Sequence, residues 1–254
     1  HAQAFADKVQ AAIDDLEASG IGFSALILCP AFLNEGFPVL DAGWLDPTLA
    51  VVRKAGGLFI ADEVQPGFAR NGEAFWGHQR IGIKPDIVTM GKPMGNGHPV
   101  AAVATTADIM AEFRSTFRYF NTFGGNPVSC AAAMAVLDVI ADEGLQENAR
   151  LVGIHARAGL EELATRHECI GDVRGYGLFF GAELVTDRRS KAPAGAYAIR
   201  VANEMRRRGV LMNKLGVHYN TLKIRPPMPF SISDADFMLG TLDGVLTDLG
   251  PAHD

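Results

Sequence analysis

The 254-residue chain has only three cysteines, Cys29, Cys130 and Cys169, too few and too scattered for a disulfide framework or a zinc site. That scarcity suits a reducing, cytoplasmic setting. No apolar run reaches membrane-spanning length, and no basic cluster marks nucleic-acid binding. The formal net charge is −6, and the densest cationic run, Arg206-Arg207-Arg208, stands just before Gly209, where cations suit the end of a helix. No histidine spacing suggests a metal site. The start, His1-Ala2-Gln3, leads straight into a mixed helix, so a signal peptide is not expected. Repeats and low-complexity linkers are also missing. What remains, 48% hydrophobic and 20% charged, is the composition of a globular chain with a core, long enough for one large domain or two ordinary ones. Its partners are then expected to be small molecules, not nucleic acid or membrane.

The pattern that is present alternates. Phe5, Val9, Ile13 and Leu16 recur at helical spacing within residues 3–19, and Ser24–Cys29 is a short apolar strand. Asp46 to Ala55 reads as a helix ended by Gly56-Gly57, followed by strands at Gly57–Ala61, Ile87–Met90 and Val100–Thr105 and a helix from about Asp108. Apolar strands alternating with helices predict an α/β fold with a mostly parallel sheet flanked by helices. Asn126-Pro127 sets an N-cap residue before a proline at the first helical position. The run from there to Ile140 is apolar nearly all round, which predicts a buried helix. A long amphipathic helix follows at about 146–166. From about residue 170 the texture changes. Gly171–Gly177 reads as a glycine-rich turn, Leu178–Val185, Val210–Asn213 and Leu222–Arg225 as strands, and Ala194–Arg208 and Ser233–Leu249 as helices. These divide the chain into residues 1–155, part of a large α/β domain, and 156–254, a smaller α+β domain.

Two residues stand where ligands gather in an α/β sheet, at the carboxyl ends of strands. Asp62 closes the run Gly57-Leu58-Phe59-Ile60-Ala61, and Lys92 follows Ile87-Val88-Thr89-Met90-Gly91 inside a turn that contains Gly95 and Gly97. A lysine facing an acid across one site is what a pyridoxal phosphate enzyme needs: the amine forms a Schiff base, and the acid keeps the pyridine nitrogen protonated. Other glycine-rich readings fail. Gly91-Lys92 is followed by Pro93, with no glycine five residues before Gly91, so it is not a phosphate-binding P-loop. Gly175, Gly177 and Gly181 do not match dinucleotide spacing.

Three segments, Asp62-Glu63-Val64-Gln65-Pro66-Gly67-Phe68-Ala69-Arg70, Lys84-Pro85-Asp86-Ile87-Val88-Thr89-Met90-Gly91-Lys92 and Asn121-Thr122-Phe123-Gly124-Gly125-Asn126-Pro127, closely resemble the class III, or omega-type, aminotransferases. With Asp172-Val173-Arg174-Gly175 and Pro226-Pro227, the resemblance covers nearly the whole chain. It implies the fold of a type I pyridoxal phosphate-dependent transferase and a homodimer with shared active sites. It makes Lys92 the Schiff-base lysine and proton shuttle, and Asp62 the partner of the pyridine nitrogen. Val64 becomes the residue packing on the ring, Gln65 the group near the phenolic oxygen, and Thr122 the residue reaching the neighbouring subunit's cofactor phosphate. The activity implied is transfer of an amino group from an amino acid or amine to a keto acid.

The departures from the family pattern carry information too. The family's N-terminal half, with its serine- and glycine-rich phosphate turn and its stacking aromatic, is not seen in residues 1–50. Cys29-Pro30 stands where many members have Glu-Pro. In Leu222-Lys223-Ile224-Arg225-Pro226-Pro227, Lys223 occupies the place of the arginine that clamps a substrate carboxylate. A guanidinium binds a carboxylate with two parallel hydrogen bonds, whereas an ammonium is a point charge, so Lys223 suggests a different anion, or none, at that place, while Arg225, two residues on and on the same face of a strand, stands where it could compensate. Gly91-Lys92-Pro93-Met94-Gly95-Asn96-Gly97-His98-Pro99-Val100 and Leu222-Lys223-Ile224 look most like the branch that eliminates phosphate from phosphoamines such as phosphoethanolamine. The segment from Tyr119 to Pro127 is nearly as close to the alanine–glyoxylate branch. Transamination leads, phosphate elimination is the alternative, and a catalytically silent regulatory or binding member is the third reading. His78, beside Trp76, reads as a loop residue or a substrate contact.

Overall fold

The computed structural model describes residues 1–252. The chain divides into two compact units. His1–Pro30, Leu40–Phe68 and Trp76–Val139 form the first; Ala31–Val39, Ala69–Phe75 and the chain from Ile140 onward form the second.

In the first unit, helix α1 (Ala2–Ala18) precedes strand β1 (Ala25–Leu28), helix α2 (Asp46–Lys54) and strand β2 (Leu58–Asp62). A single-turn helix α3 (Gly77–Arg80) leads to β3 (Ile87–Met90) and β4 (Ala102–Thr105). β1, β2 and β3 lie side by side in parallel, and β4 closes the order antiparallel to β3. α1 buries Ala6 and Ile13, seven residues apart and so on one helical face. β2 buries Phe59 and Ala61 fully. Asp86 ties the layers: its carboxylate accepts from the Arg53 guanidinium at the end of α2 (2.5 Å) and from Phe59 N–H of β2 (2.6 Å). Burial works against this carboxylate's charge, but the hydrogen bonds from Arg53 and Phe59 prevail and hold its pKa below the usual aspartate value.

Helices α4 (Ala107–Thr116) and α5 (Pro127–Asp142) follow. Asn126 caps α5 as its sequence predicts, its Oδ1 accepting from Ser129 N–H at 2.9 Å. The expected all-round burial of α5 is not what the fold delivers. Ala133 and Ile140 are buried, but Val128 is 70% and Met134 55% exposed. An all-round apolar helix needs cover on every side, and the described residues cover only one.

The second unit holds α6 (Leu145–Arg166), β5 (Ile170–Tyr176), β6 (Phe179–Asp187), the short β7 (Ala192–Pro193), α7 (Gly195–Arg207), β8 (Asn213–Leu215), β9 (Thr221–Ile224) and α8 (Ile232–Leu249). Its sheet is antiparallel throughout, ordered β5-β6-β9-β8 with β7 beside β6. α6, α7 and α8 bury Leu160, Val201 and Leu242 in one core with Phe180, Leu184 and Leu222. Residues 171–177, expected as a turn, belong mostly to β5. Gly175, at φ 123°, stands where a Cβ would lie 2.4 Å from Phe180 Cα, so the glycine marks a close backbone approach inside a strand. The strand expected at 210–213 starts instead at Asn213, and α8 is capped by Ser231 rather than opening at Ser233.

Candidate active site

The parallel pairing of β2 and β3 brings the two candidate residues to one edge. Asp62 is the last residue of β2 and registers with Thr89; Lys92 follows three residues after Thr89, beyond the end of β3. The half-buried Asp62 accepts the N–H of Val64 at 3.0 Å, a local turn that fixes its carboxylate. Lys92 is exposed and opens a tight 3₁₀ turn through Met94, in which Met94 N–H donates to Gly91 O at 3.0 Å. Its φ of 38° lies in the left-handed region, a conformation that costs a non-glycine residue roughly 1 kcal/mol. The turn closes at Gly95, where a Cβ would lie 2.1 Å from His98 O, so only glycine fits. A Cβ at buried Gly91 would stand 4.0 Å from Val64 Cγ2, which places the Val64 side chain beside the lysine turn.

Gln65 is half-buried and next to Val64. Thr122 is exposed in the loop before α5, where Asn121 Oδ1 accepts from Phe123 and Gly124 N–H. Lys223 and Arg225 lie in the second unit. Lys223 is in β9, opposite Gly181, and Arg225 is one residue past the strand end. Both line an open groove of about 590 Å³ with Met212, Pro227, Phe230 and Phe237 among its walls. The lining comes entirely from the second unit, without Asp62 or Lys92. Nearby, the half-buried Arg70 guanidinium donates to Pro226 O and lies over the Phe179 ring. Burial, and then repulsion by Arg225, lowers its pKa to about 10.

One residue of this region escaped the reading of the sequence. Glu63 is completely buried, and its carboxylate accepts from Gly77 N–H, His78 N–H and His78 Nδ1, each at 2.8 Å. Its adjacency to Asp62 was the available signal. The partner fourteen and fifteen residues away was not visible, because the loop between them has no period. His78 is thus paired inside the protein, with its ring stacked near Trp76.

Asp62 and Lys92 thus stand at and just beyond the ends of neighbouring strands, with the Val64 side chain beside the lysine turn. The family model for aminotransferase class-III matches residues 2–246.

This chain belongs to the class-III aminotransferases.

Pyridoxal 5'-phosphate is the cofactor that membership in the class-III aminotransferases implies, and the family has the type I fold. The Arabidopsis thaliana alanine–glyoxylate aminotransferase 2 homolog 2 is 48% identical over 91% of this chain and 48% of its own length. The Caenorhabditis elegans ethanolamine-phosphate phospho-lyase homolog 1 is 42% identical over 96% of this chain and 53% of its own. A phospholyase from Arthrobacter, solved in complex with phosphoethanolamine, superposes with a TM-score of 0.92 at 45% identity, covering 96% of this chain and 58% of that one. The class-III chain described here therefore spans about half the length of the curated relatives it matches.

Proposed function

We propose that this chain is part of a pyridoxal phosphate-dependent aminotransferase that moves an amino group from an amino acid or amine to a keto acid. The observation that carries this is the register of Asp62 with Thr89, which sets the acid at the strand end beside the one that leads to Lys92. When bound, the cofactor supplies an electron sink for bonds breaking at the substrate's amine-bearing carbon. Lys92 is the residue that would hold the cofactor, through its Nζ, and would carry a proton to and from that substrate carbon. Asp62, oriented by Val64 N–H, keeps the pyridine nitrogen protonated. Val64 would pack on the ring, Gln65 would stand near the phenolic oxygen, and Thr122 would reach the phosphate in a neighbouring subunit. Lys223 and Arg225 bind the substrate's anionic group. Residues 1–155 are assigned to the end of the family's large domain and 156–254 to its small domain, although residues 140–155 pack with the second compact unit.

A homodimer is part of the proposal. Phe117, Tyr119, Phe120 and Phe123 are each at least 60% exposed around Thr122, an apolar surface that a second copy would cover. Cytoplasmic residence is also part of the proposal; the free cysteines suit it, and cell fractionation tests it against the mitochondrial location in the Arabidopsis relative's name. Among the described residues no helix is long and apolar enough to cross a membrane.

Phosphate elimination from a phosphoamine is the second reading. Lys223 in the arginine's place favours it, and so does the likeness to the Arthrobacter phospholyase. The two separate cleanly with full-length protein. Amine-dependent conversion of pyruvate to alanine without phosphate release supports the aminotransferase. Stoichiometric phosphate and aldehyde release from phosphoethanolamine, with no keto acid present, overturns it in favour of the lyase.

A further inference from the structure

The Glu63 carboxylate is the most heavily engaged buried acid near the proposed site, and nothing in the chemistry above uses it. Both its oxygens are occupied: Oε2 by Gly77 N–H, Oε1 by His78 N–H and the His78 ring. Its backbone is held as well. Glu63 N–H donates to Thr89 O of β3 at 2.9 Å, and Glu63 O accepts from Gly67 N–H at 3.1 Å. Residue 63 is therefore pinned from β3, from the loop that follows it, and from the start of α3.

Its neighbours on either side, Asp62 and Val64, both belong to the proposed site. β2 ends at Asp62 and a turn begins at Val64, so the buried Glu63 is the junction residue joined by backbone to both. The Asp62 side chain accepts from Val64 N–H, and Val64 Cγ2 stands beside Gly91. A displacement of Glu63 moves both at once. The far end of the restraint is stiff. The His78 ring stacks on Trp76 with centroids 6.5 Å apart and planes 11° from parallel, and Trp76 packs edge-on against Phe68 at 5.2 Å. A Cβ on Gly77 would lie 2.8 Å from Pro66 Cβ, so the loop root is close-packed.

We infer that Glu63 and His78 form a clasp that positions Asp62 and Val64 for the cofactor, Glu63 acting as a positioning residue and His78 as its ring-nitrogen donor. The inference rests on the reading of Asp62 and Lys92 given above. A buried carboxylate left with fewer donors is costly, because each lost hydrogen bond exposes the desolvation of the charge.

The test uses full-length holoenzyme and three variants. His78→Phe keeps a ring against Trp76 and removes the donor, His78→Asn restores an N–H near the Nδ1 position, and Glu63→Gln removes the charge. The expected result is a rise of about tenfold in the dissociation constant for pyridoxal phosphate in His78→Phe, the loss of one charge-assisted bond, with recovery in His78→Asn. The borohydride-reducible absorbance band is expected to shift in His78→Phe and to return in His78→Asn. In Glu63→Gln, the Gly77 and His78 amides exchange faster with solvent. The clasp is overturned if wild type shows the band and His78→Phe matches it in cofactor affinity and band position. A wild-type holoenzyme with no reducible band overturns the Lys92 reading itself. If Glu63→Gln does not fold, the two His78 variants decide the matter.

Discussion

Lys92 occupies a backbone conformation that favours glycine, and it keeps it under constraint from the surrounding turn. Function and stability therefore pull apart at this position. Lys92→Ala is expected to remove the borohydride-reducible band and to lower turnover by at least ~10²-fold, the usual worth of a positioned proton carrier. Lys92→Gly is expected to be equally inactive yet to melt at a higher temperature than Lys92→Ala, since glycine relieves the left-handed strain. An active Lys92→Ala protein would sink the assignment. A second residue-scale expectation concerns Asp86. Its folded-state pKa lies below the ordinary value of 3.8, so its contribution is fully present above that pH and is lost as pH falls through the depressed value. Acid unfolding of Asp86→Asn, followed by circular dichroism, should show a weaker dependence on pH below about 4 than wild type. An identical acid profile would mean that the bonds to Arg53 and Phe59 contribute nothing net.

Among the elements, α5 and β5 carry the clearest tests. Asn126 Oδ1 caps α5 while its Nδ2 donates to Phe123 O at 2.8 Å and to Ser129 Oγ at 2.9 Å, linking the Thr122 loop to the helix start. Asn126→Ala is expected to destabilise the first unit by about 1–2 kcal/mol in urea unfolding, the usual cost of a lost N-cap. A change below a few tenths would show that the loop holds itself. In β5, Gly175→Ala forces a methyl to within 2.2 Å of Phe179 O at a positive φ. Because the obstacle is backbone on the paired strand, the expected cost is at least about 3 kcal/mol, and thermal melting of the variant reads it directly. Gly171, also in β5, faces the Val185 side chain instead and has softer neighbours.

For the whole molecule, the distribution of exposed apolar residues is the main fact. Phe120 is 85% exposed, Phe123 80% and Val128 70%, far beyond what scattered surface residues need. Full-length protein is expected to sediment as a dimer, and Phe120→Asp with Phe123→Asp is expected to shift it toward monomer while weakening cofactor retention. A wild-type monomer that retains its cofactor would remove the shared-site proposal and with it the role of Thr122.

Several features were legible without coordinates because they are local. The apolar runs at Ile87–Met90 and before Asp62, the Asn126-Pro127 helix start, and the glycine-bounded lysine turn each depend on a few neighbouring residues, and each appears where the sequence puts it. The ordered motifs around Asp62, Lys92 and Thr122 identified the family, and with it the cofactor, from the chain's letters alone. What depended on distant residues was not legible. The glycines at 171–177 signal a turn by composition, yet Gly171 and Gly175 belong to β5, and at Gly175 the β6 backbone approaches too closely for a side chain. The apolar letters of α5 signalled burial, but burial requires a covering surface that a helix's own sequence cannot specify. Lys223 and Arg225 were placed on one strand face, and the structure puts both around one groove although the strand ends between them. Glu63 was passed over beside Asp62 because its significance lies in a hydrogen-bond partner fifteen residues on. The sequence by itself determined which chemical groups exist and which short segments hold them. Only the tertiary structure decided which of those groups share a hydrogen bond, because pairing of buried polar groups is satisfied in space and leaves no periodic trace along the chain.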